Sequence, residues 1–284
     1  MNAAQPSRTA VRVALRRAAH QILDTPPVFQ DGLALQMIGR EVAAALRKDP
    51  SRFEGQLGSS ALRAFLAVRS RIAEDALARA IDKGVRQYVV LGAGMDTYAY
   101  RHAVPDLRVF EVDQPATQDW KRMRLKEVGL TEPASLTFVP IALDRQDLAE
   151  ALEQAGVNRA QPAFFSWLGV TMYLPKAAVW TTLRDVAMLT ETGGGITFDY
   201  AVPVESLNFF QRARFAVLAG RVAEAGEPFQ TFLDPDALKK RLLEFGFVTV
   251  RDRGPETLNE KYFANRTDGL AVGEIGRVVT AWSK

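Results

Sequence analysis

The sequence Tyr88-Val-Val-Leu-Gly-Ala-Gly-Met-Asp-Thr97, followed by Leu107-Arg-Val-Phe-Glu-Val-Asp113, decides how the chain folds. Tyr88 to Leu91 has the composition of a buried strand, which breaks at Gly92-Ala93-Gly94. The second stretch predicts another apolar strand that ends in carboxylates. About twenty residues separate Gly94 from Asp113, the interval at which a strand-turn-helix-strand unit places an acid against a ribose. The stretch predicts a site for an adenosine-containing cofactor, although a Gly-x-Gly alone also occurs as a structural turn.

Two residues in the glycine-rich turn distinguish between adenosine cofactors. A dinucleotide-binding motif has a third glycine, which lets the helix pack close to the strand. Here Thr97 stands at that position, and Asp96 stands where a pyrophosphate would arrive. The negative charge of Asp96 disfavours phosphates and suits the sulfonium and ammonium cations of S-adenosylmethionine. We therefore expect S-adenosyl-L-methionine as the cofactor.

The composition of the chain argues against several kinds of function. Its 284 residues include 36 lysines and arginines and 33 aspartates and glutamates, a net charge of 36 − 33 = +3, and no basic run predicts nucleic-acid binding. The absence of cysteine excludes disulfides and a thiol nucleophile, and with two histidines no metal site is predicted. No apolar run reaches the length of about 20 residues that spans a bilayer. The N-terminus lacks the pattern of a signal peptide, so we expect a cytoplasmic protein.

Strand and helix patterns alternate from Tyr88 onward, which is typical of a parallel sheet with helices on both faces. Three helices are predicted before it, the second over Leu33–Leu46. Two last strands, Phe247–Asp252 and Gly276–Ser283, predict an antiparallel end to the sheet. We expect one domain over residues 1–284. It would comprise a helical N-terminal extension (1–60), a cofactor-binding core (61–202), a lid insertion (203–232) and C-terminal strands that complete the sheet (233–284).

Motifs along nearly the whole chain carry a family resemblance. They are Val68-Arg-Ser-Arg71 with Glu74-Asp75, Gly84-Val-Arg-Gln87, Leu91-Gly-Ala-Gly-Met-Asp-Thr97, Ala99-Tyr-Arg101, Phe110-Glu-Val-Asp-Gln-Pro115, Ser166-Trp-Leu-Gly-Val-Thr-Met-Tyr-Leu174, Gly226-Glu-Pro-Phe229, Leu243-Glu-Phe-Gly-Phe247 and Tyr262-Phe-Ala-Asn-Arg-Thr-Asp-Gly-Leu270. With these motifs the chain resembles the leucine carboxyl methyltransferase superfamily of class I S-adenosylmethionine-dependent methyltransferases. The similarity is greatest to the bacterial branch, which includes tetracenomycin-type polyketide carboxyl O-methyltransferases. The resemblance implies an α/β, Rossmann-like seven-stranded fold with a helical N-terminal extension and a helical lid insertion.

The resemblance also implies a set of cofactor contacts. Asp113 would hold the ribose hydroxyls, with Glu111 as a second candidate. Arg69 would pair with the cofactor carboxylate, and Arg71 lies close enough in sequence to be confused with it. The implied cofactor-binding residues are Arg69, Gly92, Ala93, Gly94, Asp96, Glu111, Asp113, Ala142, Leu143 and Leu168.

The chain departs from the family pattern at two of these positions. Ala142 stands where an acid usually lies near adenine, and Leu168 stands where a glutamate is common. The backbone or Asp144 would then recognise the adenine amino group.

The chemistry of methyl transfer predicts the kind of acceptor. A carboxylate is already anionic at neutral pH and requires alignment without a general base, whereas a phenol would require a base such as His20 or His102. The candidate acceptor-binding residues are Arg17, His20, Tyr173, Asp199, Tyr200, Tyr262 and Arg266. Tyr173, Tyr262 and Arg266 are the candidates for alignment, and no catalytic acid or base is assigned. The tyrosines could equally be core aromatics, and Arg266 could pair with Asp268.

These observations predict an S-adenosylmethionine-dependent O-methyltransferase that forms a methyl ester on a small-molecule carboxylic acid, such as a polyketide or another secondary metabolite. One alternative acceptor is the C-terminal carboxylate of a protein. Alternatives of another class are a nucleotide-dependent oxidoreductase and a cofactor-binding protein without catalysis. Neither nucleic acid nor membrane is expected as a partner, and both a monomer and a homodimer are compatible with the sequence.

Overall fold

The computed structural model describes residues 8–50, 59–143, 145–224 and 226–284. Seven strands form one sheet: β1 Gln87–Leu91, β2 Arg108–Asp113, β3 Leu136–Pro140, β4 Ala163–Trp167, β5 Gly194–Ala201, β6 Thr249–Arg253 and β7 Gly276–Trp282. Their spatial order is β3-β2-β1-β4-β5-β7-β6, and the first five are parallel. β7 runs antiparallel to both β5 and β6. The predicted α/β sheet with an antiparallel end is confirmed.

Eleven α-helices are assigned within the described residues. They are α1 Arg8–Leu23, α2 Ala34–Met37, α3 Arg40–Lys48, α4 Ser59–Asp82, α5 Tyr98–Arg101, α6 Pro115–Glu127, α7 Leu148–Gln154, α8 Lys176–Leu189, α9 Phe209–Glu224, α10 Pro235–Glu244 and α11 Pro255–Tyr262. None of these helices is both long enough and apolar enough to cross a membrane.

Helices cover both faces of the central strands. All five residues of β1 are buried, as is typical of a strand in a parallel sheet covered on both sides. Val89 packs in the same cluster as Val179 of α8, whereas Val90 packs with Leu77 of α4. Each such side chain contributes roughly 1.5–3 kcal/mol by leaving water. This packing fixes the carboxyl end of β1, where the glycine-rich turn begins.

One local prediction was wrong, and one helix was missed. The predicted helix Leu33–Leu46 is divided into α2 and α3 at Gly39, which has φ 88°. A Cβ atom there would lie 2.7 Å from a nitrogen of the Arg124 guanidinium, so only glycine fits this break without a shift. Helix α11 was not predicted, although Pro255 occupies its first turn, a common helix start.

Helix α9 lies within the segment predicted as a lid. Phe215 and Val222 are buried, and most of its other residues are exposed. The ring of Phe215 stacks on that of Phe229, with centroids 5.5 Å apart, and packs edge-on against Phe232 at 5.7 Å. These aromatic contacts attach α9 to the chain that follows it. The lid role and the predicted segment boundaries stay predictions.

Candidate active site

A cleft lies beyond the carboxyl ends of β1, β2 and β4, where the strand order reverses. Ligands of open α/β sheets bind at such a position. α1 covers the cleft and contributes one face of the helix to it, and the loop after α9 closes one side. The lining residues are Thr9, Ala10, Val13, Ala14, Arg17, Leu66, Arg69, Ser70, Val90 to Asp96, Asp113, Gln114, Thr117, Ile141, Leu143, Ser166, Leu168, Gly169, Val170, Tyr173, Leu174 and Glu227.

The glycine-rich turn forms the floor of the cleft. Gly92 and Gly94 have φ angles of 64° and 50°, which residues with a Cβ atom rarely adopt. The carboxylate of Asp113 accepts a hydrogen bond from Gly94 N at 2.6 Å and one from Gln114 N at 2.7 Å. Burial raises the pKa of Asp113, against the lowering effect of these two bonds. Asp113 is thus held at the end of β2 with its carboxylate at the cleft.

Glu111 does not line the cleft. Its side chain is 1% exposed and forms an ion pair with Lys121 of α6, which is equally buried. Lys121 Nζ also donates a hydrogen bond to the carbonyl oxygen of Asp96 at 2.6 Å. Burial raises the pKa of Glu111 to about 7 despite Lys121. Of the two ribose candidates, only Asp113 reaches the cleft, and Glu111 supports the turn from below.

Arg69 lies in the cleft wall and is paired with a buried carboxylate. Its Nη1 atom is 2.8 Å from Oδ2 of Asp199, whose side chain is 0% exposed. The other oxygen of Asp199 accepts a hydrogen bond from Gly169 N at 2.5 Å. Asp199 lies behind Arg69 and does not line the cleft, so it orients the guanidinium and the loop after β4. Arg71 lies outside the cleft, half exposed and paired with Asp75.

Arg17 connects α1 to the glycine-rich turn. Its Nη2 atom is 2.7 Å from Oδ2 of Asp31, and its Nη1 atom is 3.7 Å from Oδ2 of Asp96. The hydroxyl of Thr97 donates to Asp31 at 2.9 Å. Burial alone would raise the pKa of Asp31, but Arg17, Arg101 and the hydrogen bonds lower it overall. The threonine that replaces a third glycine therefore attaches the turn to the covering helix.

Tyr173 and Glu227 also line the cleft, and they are close enough for the charge of Glu227 to raise the pKa of the Tyr173 hydroxyl. The ring of Tyr173 stacks on Phe229, with centroids 5.4 Å apart, and burial raises the pKa of its hydroxyl to about 12. Glu227 is 8% exposed, and its Oε2 atom accepts a hydrogen bond from Thr9 N at 3.1 Å. Glu227 and Asp31 were not predicted as site residues. Glu227 falls within the family motif Gly226-Glu-Pro-Phe229, which could have indicated its place in the site. Asp31 falls within none of the motifs.

Besides Asp199, four of the predicted acceptor-binding residues do not line the cleft. His20 is buried against Asp24, with Nδ1 2.5 Å from the carboxylate. The Tyr200 hydroxyl donates to Asp252 at 3.0 Å. Tyr262 packs against a cluster between α4 and α11, which includes Phe65 and Leu258. Arg266 pairs with Asp268 and donates to the carbonyl oxygen of Pro26 at 2.8 Å. Tyr262 and Arg266 thus have the structural roles given as their alternatives, and His20 and Tyr200 are each held by a carboxylate. These four residues are not part of the candidate site.

The adenine end of the predicted site is apolar. Leu143 and Leu168 line the cleft, whereas Ala142 lies beside it, with its backbone N–H bonded to the Gln146 side chain at 2.9 Å. Asp144 lies outside the described residues. The structure thus supplies an apolar surface where the family pattern has carboxylates.

The residues of the cleft fit S-adenosylmethionine. The guanidiniums of Arg17 and Arg69 suit its carboxylate, and the carboxylate of Asp113 suits its ribose hydroxyls. The positive φ angles of Gly92 and Gly94 let the backbone approach a ligand closely. Cations and anions thus line the same cleft, as a zwitterionic ligand with an additional sulfonium charge requires.

Comparison with known proteins assigns the chain to a family. The model of the leucine carboxyl methyltransferase family matches residues 10–187. A protein of Bacillus subtilis, provisionally named S-adenosyl-L-methionine-dependent methyltransferase YktD, is 29% identical over 99% of both chains. A Mycobacterium marinum protein with the same provisional description is 30% identical over 78% of this chain and 75% of its own length.

A solved structure shares the fold. The DUF574 family protein from Streptomyces avermitilis superimposes with a TM-score of 0.56 at 14% identity, over 87% of this chain and 95% of that one. The chain belongs to the leucine carboxyl methyltransferase family and is a methyltransferase that uses S-adenosylmethionine.

Proposed function

We propose that this methyltransferase forms a methyl ester on the carboxylate of a small molecule. Two features of the cleft support this proposal: Tyr173 can donate a hydrogen bond to an acceptor oxygen, and no histidine is available as a base among the described lining residues. The hydroxyl of Tyr173, with a pKa raised to about 12, is protonated at neutral pH and can donate this bond. A carboxylate requires no base, whereas a phenol would have to lose a proton.

The proposed reaction is an in-line displacement in which the protein supplies alignment. S-adenosylmethionine supplies an electrophilic methyl group on a positively charged sulfur. Arg69 and Asp113, which both line the cleft, would hold the cofactor carboxylate and the ribose. Tyr173 would hold one acceptor oxygen on the axis of the breaking bond. Holding two reactants in this way can be worth about 7–11 kcal/mol.

A hydroxyl group is a second candidate acceptor, and the position of Glu227 favours it. Glu227 is a buried carboxylate on the cleft wall beside Tyr173, and a carboxylate so placed could take a proton from a hydroxyl acceptor. The product would then be an ether. The C-terminal carboxylate of a protein remains the alternative that the family description favours, and it would yield an ester on a polypeptide.

The products distinguish these acceptors. The purified protein is incubated with methyl-labelled S-adenosylmethionine and a panel of small carboxylic acids, matched phenols and a protein extract. The proposal expects label in a small product that mild base releases as methanol. A small product stable to base would overturn the carboxylate in favour of a hydroxyl. Base-labile label only on a protein band would overturn the small-molecule acceptor.

A further inference from the structure

Glu227 is a buried carboxylate in the cleft wall, and none of the described side chains supplies it with a cationic partner. It is 8% exposed, and among the described side chains no ion pair involves it. Its one hydrogen bond in the described part of the chain comes from the backbone of Thr9, at 3.1 Å. Burying an ionised carboxylate is costly unless a charge or several donors compensate for it. A positive charge that arrives with a ligand would meet this requirement.

The position of Glu227 along the cleft indicates which part of the cofactor it faces. In the proposed function Arg69 holds the cofactor carboxylate and Asp113 holds the ribose. Tyr173 is close enough to both Arg69 and Glu227 for their charges to act on the pKa of its hydroxyl. Glu227 is also close enough to Asp113 for its charge to raise the pKa of that carboxyl. In S-adenosylmethionine the sulfur is bonded to both the ribose carbon and the methionine chain. The sulfur therefore has to lie between these two groups of the cofactor, near the part of the cleft wall where the charge of Glu227 acts on both Asp113 and Tyr173.

We propose that Glu227 binds the sulfonium of the cofactor and gives the cleft a preference for S-adenosylmethionine over the product S-adenosylhomocysteine. This role rests on the methyl transfer described above. When the methyl group moves to the acceptor oxygen, the carbon–sulfur bond breaks and a carbon–oxygen bond forms. The electron pair stays on sulfur, which becomes a neutral thioether. The attraction of Glu227 is lost at that moment, which favours release of the product.

The same charge balance makes Glu227 compatible with an anionic acceptor. Paired with a sulfonium, Glu227 presents no net charge to the incoming carboxylate. Without that pairing, Glu227 would repel the carboxylate of the acceptor. The acceptor therefore binds best after the cofactor has bound.

Glu227 also has a structural role, which the test must separate from binding of the sulfonium. Its bond to Thr9 N places a negative charge at the first turn of α1, where an anion stabilises a helix. Glu227→Gln retains an oxygen that accepts this hydrogen bond and removes only the charge. Glu227→Asp retains the charge on a shorter side chain. Glu224→Gln makes the same charge change on an exposed residue of α9 outside the cleft and is the matched control.

The experiment measures the dissociation constants of S-adenosylmethionine and S-adenosylhomocysteine by calorimetry for the wild type and the three variants. Glu227→Gln should weaken binding of S-adenosylmethionine by about tenfold, or 1.4 kcal/mol, and leave binding of S-adenosylhomocysteine unchanged. Glu227→Asp should retain most of the preference, and Glu224→Gln should retain all of it.

Equal weakening of both ligands by Glu227→Gln would show a role confined to α1 or to the groups that both ligands share, and would overturn the inference. Unchanged affinities for both ligands in Glu227→Gln would overturn it as well. The failure of the proposed acceptor is distinguishable, because it leaves these two affinities untouched and changes only the labelled product.

Discussion

Lys121 and Glu111 form an ion pair directly beneath the glycine-rich turn, and each side chain is 1% exposed. Lys121 Nζ also donates to the carbonyl oxygen of Asp96 at 2.6 Å, so the pair fixes the turn that forms the floor of the cleft. The second carboxylate oxygen of Glu111 is buried and has no hydrogen-bond partner. The ammonium group of Lys121 is therefore the main compensation for the buried carboxylate.

Removal of the lysine charge should destabilise the fold strongly. Lys121→Met leaves Glu111 without its cation, and loss of one partner of a buried pair typically costs about 3–5 kcal/mol in the free energy of unfolding. Urea denaturation followed by circular dichroism measures this loss. The double variant Lys121→Met/Glu111→Leu removes both charges and should recover much of the stability. If Lys121→Met were as stable as the wild type, the ion pair with Glu111 would not be the compensation for the buried carboxylate.

Glu111 should also make the stability depend on pH. Burial raises its pKa from 4.5 to about 7 in the folded chain. The folded chain then binds this proton more tightly than the unfolded chain, so the contribution to stability is complete below about pH 4.5 and is lost as pH rises through about 7.

The free energy of unfolding of the wild type should thus decrease between about pH 5 and 7, relative to that of Glu111→Gln, which cannot titrate there. Urea denaturation at several pH values and constant ionic strength gives the two curves. Parallel curves over this range would show that Glu111 stays ionised in the folded chain.

The sequence was most informative where the determining contacts are local. The stretch Leu107–Asp113 was predicted as a strand that ends in carboxylates. It agrees with β2, Arg108–Asp113, within one residue, and Asp113 at the end of β2 reaches the cleft. The apolar run, the glycines and the acid all lie within about thirty residues, so their spacing alone determines their geometry. The short helix α11 was missed because its eight residues are too few for a clear helical period.

Contacts between distant residues could not be predicted. The bond between Thr9 and Glu227 spans 218 positions, and that between Arg69 and Asp199 spans 130. They arise because the sheet order brings β1, β4 and β5 together and because α1 folds back over their ends. Asp199 lies near the end of β5, and its pair with Arg69 holds it behind the cleft wall, which the sequence alone does not indicate.

Arg69 and Arg71 should respond very differently to the same substitution. Arg69→Met leaves Asp199 buried without a cation, which should cost about 3–5 kcal/mol and weaken binding of the cofactor carboxylate. Arg71→Met breaks a half-exposed pair with Asp75, and such pairs contribute roughly 0–1 kcal/mol.

Thermal unfolding and calorimetry with S-adenosylhomocysteine, which retains the carboxylate, measure both effects. Because Arg69→Met could unfold the chain, Arg69→Lys provides a milder test. It keeps the charge and should preserve the fold, but it loses the planar fork that suits a carboxylate, so binding should still weaken. Equal behaviour of the variants at the two positions would contradict the placement of Arg69 in the site.

Gly92 should tolerate a methyl group less well than Gly84. Both have positive φ angles, 64° and 93°, so an alanine costs roughly 1–2 kcal/mol of backbone strain at either position. A Cβ atom on Gly92 would in addition lie 2.3 Å from Cγ2 of Val170, whereas no atom lies within 4 Å of one on Gly84. Gly92→Ala must therefore displace Val170 or the turn, and both line the cleft. Calorimetry with S-adenosylhomocysteine should show affinity reduced by at least about tenfold, or 1.4 kcal/mol, for Gly92→Ala and little changed for Gly84→Ala. Adding Val170→Ala to Gly92→Ala removes the clashing methyl groups and should restore part of the affinity. If the second substitution restores nothing, the clash with Val170 is not the cause, and strain within the turn itself has to explain the loss.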